Sequence, residues 1–396
     1  MTQIDNVLLG NSQVNVTIEG NRFTRIVPVD TVDGELPPVH TAILPAFYNT
    51  HTHAAMTLLR GYADDMPLQK WLQEYIWPYE DSLTAEQIAY GSEIAQREML
   101  SGGSVFFNDM YFDVEGTIDV VEKTGGRAGI GITVMDSHSK AKSEQKKEFV
   151  RHFQDPTGGR IQIVMAPHAI YTVCADRLKD SAEFARENGV KLHIHVAETI
   201  GEVQDCVKAH GMTPVRYLDS LGFLGPDVIA AHCVWVDKEE WDILAERGVT
   251  VSHCPCSNLK MGSGRFPYEL AIASGTRITL GTDGASSNNN LDMREEMKIA
   301  ALVAKGIHSD SEGNLTNGGD PTLLPAEEIL KWATLNGAQA FGYDAGIIAE
   351  GKLADFILVD LDDPRMDPCH HIVSNWVYAA SNSCIREVWC DGRRVK

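Results

Sequence analysis

Two rhythms of apolar and polar residues divide this chain. At its start, the short β-rich runs Ile4–Leu9, Val14–Glu19 and Phe23–Pro28 are separated by Gly and Asn turn signals, which predicts a succession of strands. The same texture returns in Asp355-Phe-Ile-Leu-Val-Asp360, Ile372–Tyr378 and Ile385–Cys390, with a turn at Asp391-Gly392 before Val395. The two ends are therefore expected to pair as one small, sandwich-like β-domain, residues 1–43 and 346–396, closed around everything between them.

Residues 44–345 alternate differently. Apolar, strand-like runs occur at Ala42–Tyr48, Ser104–Asn108, Arg127–Met135, Ile161–Ala166, Lys191–Val196, Val228–Cys233, Val249–Cys254 and Ile278–Gly281. Helical stretches such as Ala175–Asn188 and Lys238–Arg247 lie between most of them. Eight β/α units of this kind predict an α/β fold, a (β/α)8 TIM-type barrel. The near-continuous apolar character of the runs suits parallel strands covered on both faces. The first β/α connection, with Ala63-Asp-Asp-Met-Pro67, Trp71 and Trp77-Pro78, is unusually long, as loops over binding sites often are.

Composition narrows the function classes. A chain of 396 residues with 43% hydrophobic and 22% charged content is ordinary for a globular enzyme. No apolar run of about 18 residues exists to span a membrane. The N-terminal Met1-Thr-Gln-Ile-Asp-Asn lacks the basic start and apolar middle of a secretory signal, so a cytoplasmic location is expected. A net charge of -21 argues against a nucleic-acid partner, whose phosphates demand clustered Lys and Arg, yet leaves small uncharged nucleosides open. The eight cysteines are scattered, so no disulfide framework is expected. Cys254-Pro-Cys256 has no second pair at a matching spacing and reads as buried thiols rather than a zinc knuckle.

In such a barrel, chemistry sits at the carboxyl ends of the strands. Those ends read His51-Thr-His53, His193-Ile-His195-Val-Ala-Glu198, Ala231-His232-Cys233 and Gly281-Thr-Asp283-Gly284. Strand residues two apart share a face. Each residue alone has a plainer reading: a satisfied strand histidine, an Asp N-cap at 283, a helix-start carboxylate at 198. Their placement on separate strand ends at one rim makes an N/O metal site the better reading.

With these residues in place, the chain resembles the amidohydrolase superfamily, and within it the S-adenosylhomocysteine/methylthioadenosine deaminase branch. The resemblance runs from about Ile43 to the C-terminus. It is carried by Asn49-Thr-His-Thr-His53, Leu58-Leu-Arg-Gly61, Ala63-Asp-Asp65, His193-Ile-His-Val-Ala-Glu-Thr199, His253-Cys-Pro-Cys-Ser-Asn-Leu-Lys260, Gly281-Thr-Asp-Gly284, Ser287-Asn-Asn289, Leu291-Asp-Met293, Asn336-Gly-Ala338 and Gly351-Lys-Leu-Ala-Asp355. It implies His51, His53, His195 and Asp283 as ligands of one divalent metal, Zn2+ or Fe2+, with Glu198 as proton shuttle. His232 and Asp283 would orient the attacking water. Two-metal relatives carry a bridging lysine on the fourth barrel strand; Ile161-Gln-Ile-Val-Met-Ala-Pro-His168 has none, which favours a mononuclear site. His193, deeper on its strand, reads as an interior residue, and His253 stays unassigned. The implied reaction is hydrolytic deamination: Glu198 takes a proton from water and passes it to a ring nitrogen, and ammonia leaves. A homo-oligomer is also implied.

The resemblance further implies Glu80 as acceptor for ribose hydroxyls, Trp71 as an apolar wall and His168 as a sugar or purine contact. Each has a plainer reading too: an exposed helix-end charge, helix-face packing and a satisfied strand-end histidine. Carriers of a homocysteine tail are expected to hold its carboxylate with basic groups after the third barrel strand. Gly129–Asp136 contains no arginine, and Lys140 and Lys142, read as loop lysines, grip less directionally than an arginine fork; Arg151 is not placed. Adenosine, 5′-deoxyadenosine and methylthioadenosine are thus preferred over S-adenosylhomocysteine. The alternatives are deamination of a free base such as guanine, a triazine hydrolase, or a silent scaffold; the last would lack ligands that this chain carries.

Overall fold

The computed structural model describes residues 1–307 and 318–396. Four strands open the chain, β1 (Thr2–Leu9), β2 (Ser12–Glu19), β3 (Arg22–Pro28) and β4 (Thr41–Pro45). Eight follow: β5 (Phe47–Thr52), β6 (Ser104–Tyr111), β7 (Arg127–Val134), β8 (Ile161–Pro167), β9 (Lys191–Val196), β10 (Val228–His232), β11 (Thr250–His253) and β12 (Arg277–Leu280). The last three are β13 (Phe356–Asp360), β14 (Ile385–Cys390) and β15 (Arg393–Arg394).

Strands β5 to β12 lie side by side in chain order, every pair parallel. The seam between the last and the first is bridged at Thr50, whose Oγ1 donates to the Leu280 carbonyl at 3.0 Å, and by Asp283 N–H donating to the His51 carbonyl at 3.0 Å. Gly281 permits that approach, because a Cβ there would stand 2.8 Å from the His51 carbonyl oxygen. The predicted barrel is thus observed, and its seam brings His51 next to Asp283.

The chain ends form one seven-stranded sheet in the order β15-β14-β13-β4-β1-β2-β3. On β4 and β13, Ala42, Leu44, Ile357 and Val359 pack into the barrel core, while Ile43, Phe356 and Leu358 join Val16, Ile18 and Phe23 in a separate small core. Phe23 of β3 and Phe356 of β13, four places apart in the strand order, have ring centroids 5.5 Å apart, so the sheet folds over this small core while the other face of β4 and β13 packs on the barrel.

Ile372–Tyr378, expected as a strand, is a helix. The His371 side chain caps it by accepting from Ser374 N–H, and Ile372, Trp376 and Val377 turn one buried stripe toward the core. Lys140 and Lys142 likewise lie in a helix, Lys140–His152, whose N-cap Ser139 accepts from Lys142 N–H. No helix among the described residues is long and apolar enough to cross a membrane.

Candidate metal centre and its cleft

Each histidine at the rim is held by one ring nitrogen, leaving the other pointing inward. His51 Nδ1 lies 2.7 Å from His193 Nε2, and His193 Nδ1 lies 3.0 Å from the Ile229 carbonyl. His53 Nδ1 donates to the Met110 carbonyl and His195 Nδ1 to the His168 carbonyl, both at 2.7 Å. Such outer contacts fix tautomer and ring orientation in metal sites. They also place His193 beneath the site as the support of His51.

The inward nitrogens converge. His51 Nε2 and His53 Nε2 each stand 3.3 Å from Asp283 Oδ1, and His53 Nε2 stands 3.3 Å from His195 Nε2. His51 Nε2 is buried and has no hydrogen-bond partner among the described residues. Donors bound about 2.1 Å from one tetrahedral ion stand roughly 3.4 Å apart, so the donor set fits a divalent metal such as zinc. Asp283 is held in turn: Oδ2 accepts from Ser257 and Ser287 hydroxyls at 2.6 and 3.0 Å, and Oδ1 from Gly284 N–H at 2.8 Å. His232 is within ligand range of His51 and His195, and its Nδ1 lies 2.8 Å from Asn258 Oδ1.

The local backbone is bent to achieve this. Ala197, His232, Cys233 and Asp283 all have positive φ, at 48°, 71°, 50° and 59°. Non-glycine residues in that region store strain on the order of 1 kcal/mol or more, and such strain gathers at functional sites.

Electrostatics match. Burial pushes His51 down to about 4 and, with the neighbouring histidines, His195 well below its ordinary range. Burial would also lower His53, but Asp283 outweighs it and raises that group to about 9. Burial opposes ionisation of Asp283 as well, yet His51 and His53 hold its carboxyl well below the usual range. One carboxylate thus stabilises positive charge among imidazoles that burial keeps largely neutral.

Beside this centre, Glu198 Oε2 lies 3.9 Å from His232 Nε2, and burial raises the Glu198 pKa against the pull of His232. Above it opens a cleft shared by Trp71, Glu80, His168, Glu198, His232 and Asp283. All three expected substrate contacts therefore face the same space as the expected ligands. The long first connection is helical throughout Leu68–Glu80, with a π turn at Leu72–Ile76, and that turn brings both Trp71 and Glu80 to the cleft. Burial raises Glu80 to about 7 against the pull of the neighbouring Tyr111 hydroxyl, and Trp71 Nε1 is buried without a hydrogen-bond partner among the described residues. His168 Nδ1 lies 2.8 Å from Thr172 Oγ1, and burial with the nearby histidines lowers it to about 3.

Outward, the cleft continues past Asp81, Asp113, Asp205, His138 and Lys142. Arg151 is elsewhere, paired with Glu148 and stacked over Phe184. His253 packs against Phe266 and lies 2.8 Å from the Tyr268 hydroxyl, outside the cleft. Sequence reasoning passed over Tyr111, Ser257, Asn258 and Ser263. Three of them follow closely on His253 in the chain, which was the available signal.

The model described as the amidohydrolase family matches residues 42–395. A 5-methylthioadenosine/S-adenosylhomocysteine deaminase of Archaeoglobus fulgidus is 45% identical over 388 residues, covering 96% of this chain and 89% of that relative. A 5′-deoxyadenosine deaminase of Methanothermobacter thermautotrophicus is 41% identical over 386 residues, covering 96% and 88%. The crystal structure of an adenosine deaminase from Xanthomonas campestris with bound zinc superposes with a TM-score of 0.85 at 34% identity, covering 96% of this chain and 88% of that one.

Proposed function

The chain belongs to the amidohydrolase family, and from that premise we propose that it is a metal-dependent deaminase of adenosine-type nucleosides. One observation carries the proposal. Three imidazole nitrogens and Asp283 Oδ1 converge at the floor of a cleft that also holds Glu198, His232 and a half-buried Glu80. His51, His53, His195 and Asp283 would hold one ion, most suitably Zn2+. Such an ion would supply Lewis acidity enough to make a water deprotonable near neutral pH.

The side chains do the rest. Asp283 and His232 orient the water from two sides. Glu198, whose burial strengthens it as a base, accepts the water proton as a carboxylate and returns it to a ring nitrogen of the base. The water oxygen bonds to the amino-bearing ring carbon, the proton of the added hydroxyl passes to the amino group, and the C–N bond breaks to release ammonia. Trp71 forms a wall of the cleft, His168 offers a neutral imidazole, and Glu80 accepts from the ribose hydroxyls. Metal analysis with an ammonia-release screen over adenine nucleosides, free purines and triazines tests the reading. Metal-free protein that remains inactive on all three classes after zinc is supplied would sink it.

Glu80 yields a pH signature. As a carboxylate raised to about 7, it is neutral below that pH and loses acceptor strength there. The kcat/KM for a ribonucleoside is therefore expected to fall as pH drops through about 7. Glu80→Gln should lower it by about 10- to 100-fold, the worth of hydrogen bonds to a charged group, and remove that limb of the profile. An unchanged limb in the variant would exclude Glu80 as its origin.

The outer cleft bears on the 5′ substituent. Lys142 stands there among Asp81, Asp113 and Asp205, a setting that disfavours a carboxylate tail. Methylthioadenosine and 5′-deoxyadenosine are expected to show higher kcat/KM than S-adenosylhomocysteine. The same screen reads this directly, and the reverse order would reassign the preferred substrate.

A further inference from the structure

Glu198 is fixed at both ends. Its backbone N–H and that of Ala197 donate to the two oxygens of the buried Glu202, at 2.8 and 2.9 Å. The Ala197 carbonyl accepts from Val234 and Trp235 N–H at 3.1 and 3.0 Å. The left-handed turn that leads into Glu198 is therefore clamped from two sides. At the side chain, Oε1 accepts from the Ser263 hydroxyl at 3.1 Å, while Oε2 faces His232 Nε2 at 3.9 Å.

Ser263 is itself held. Its N–H donates to the Asn258 carbonyl at 2.8 Å, and its carbonyl accepts from the Trp235 indole N–H at 2.6 Å. Asn258 is the residue that meets His232 Nδ1. Trp235 is 40% exposed, so filling the core does not explain an indole at this position. Its ring lies so close to Gly264, whose φ is +138°, that a Cβ there would stand 3.0 Å from Nε1.

We propose that Ser263 is a positioning residue that selects the oxygen with which Glu198 carries its proton, and that Trp235 holds Ser263 in place for this task. An oxygen already accepting a hydrogen bond is the poorer proton carrier, because its lone pair is engaged and its charge stabilised. With Oε1 engaged by Ser263, the proton resides on Oε2, the oxygen beside His232. Without Ser263, Glu198 can rotate or carry the proton on Oε1, and its encounters with water and base lose their alignment. This inference rests on the reading of Glu198 as the shuttle.

The test is a mutant cycle on metal-loaded enzyme with the best adenine nucleoside. Ser263→Ala is expected to lower kcat by about 10- to 100-fold, with KM within about twofold and metal content and Tm unchanged. Ser263→Thr keeps the hydroxyl and should recover most of the loss, and Trp235→Phe should show a smaller drop of the same kind. Combined with Glu198→Gln, Ser263→Ala should lower kcat no further, since both act on one proton transfer. A wild-type kcat in Ser263→Ala, no recovery in Ser263→Thr, or full additivity with Glu198→Gln would overturn the assignment of Ser263. If Glu198→Gln alone is fully active, the shuttle reading fails instead, and the two failures are distinguishable.

Discussion

Glu198→Gln is expected to keep its metal and lose about 10²–10⁴-fold in kcat, the usual worth of a general acid/base group. The substitution preserves shape. The amide oxygen can still accept from Ser263, and the backbone bonds to Glu202 are untouched. None of the four expected ligands is altered, so metal content should match the parent. What disappears is a group that can both take and return a proton, because an amide does neither near neutral pH. On the proposed reading substrate is held by other side chains, Trp71, Glu80 and His168, so KM should change little and the loss should fall on kcat. Metal analysis and steady-state ammonia release read both halves. Near-normal turnover with full metal would remove Glu198 from the chemistry, whereas loss of metal would move it among the ligands.

The barrel was legible because buried parallel strands leave near-continuous apolar runs at regular intervals, as at Ile161–Ala166 and Val228–Cys233. Ile372–Tyr378 misled for a physical reason. Ile, Val, Trp and Tyr favour strands, but burial of Ile372 and Trp376 four residues apart is a helical spacing, and seven residues carry too few turns to separate the two. Lys140 and Lys142 read as loop residues in a strongly polar stretch, although Ser139 is a helix-start signal. At the site, residue types at strand ends were visible, and the fold brings those side chains within a few ångströms of one another. The supports were not visible. Ser263 reaches Glu198, Asn258 reaches His232, and Glu202 grips a neighbouring turn through contacts between separate loops or to backbone N–H groups, none of which leaves a periodic trace.

Arg127→Met is expected to destabilise the protein by about 3–5 kcal/mol while leaving kcat near the parent value below the unfolding transition. Arg127 lies on β7, and its guanidinium is buried between the barrel and the terminal sheet. Nε meets Asp355 Oδ2 at 2.9 Å, and Nη2 meets Asp355 Oδ1 at 3.3 Å and Asp391 Oδ1 at 2.7 Å. Asp355 is fully buried and also accepts from the Tyr48 hydroxyl and from Asp391 N–H. Removing the cation leaves the Asp355 carboxylate buried with only neutral donors, which is the expensive half of breaking a buried pair. The contact to the part-exposed Asp391 adds little, because solvent screens it. With roughly 2.1 cal/mol/K of unfolding entropy per residue, the expected fall in Tm is about 4–6 °C. Asp355→Asn in the Arg127→Met background should recover part of the loss by removing the stranded charge, a sign that mere lost packing would not produce. Thermal melts of the parent, both single variants and the double variant decide it, and a double variant no more stable than Arg127→Met would place the loss in the stacking of Arg127 on the Tyr343 ring instead.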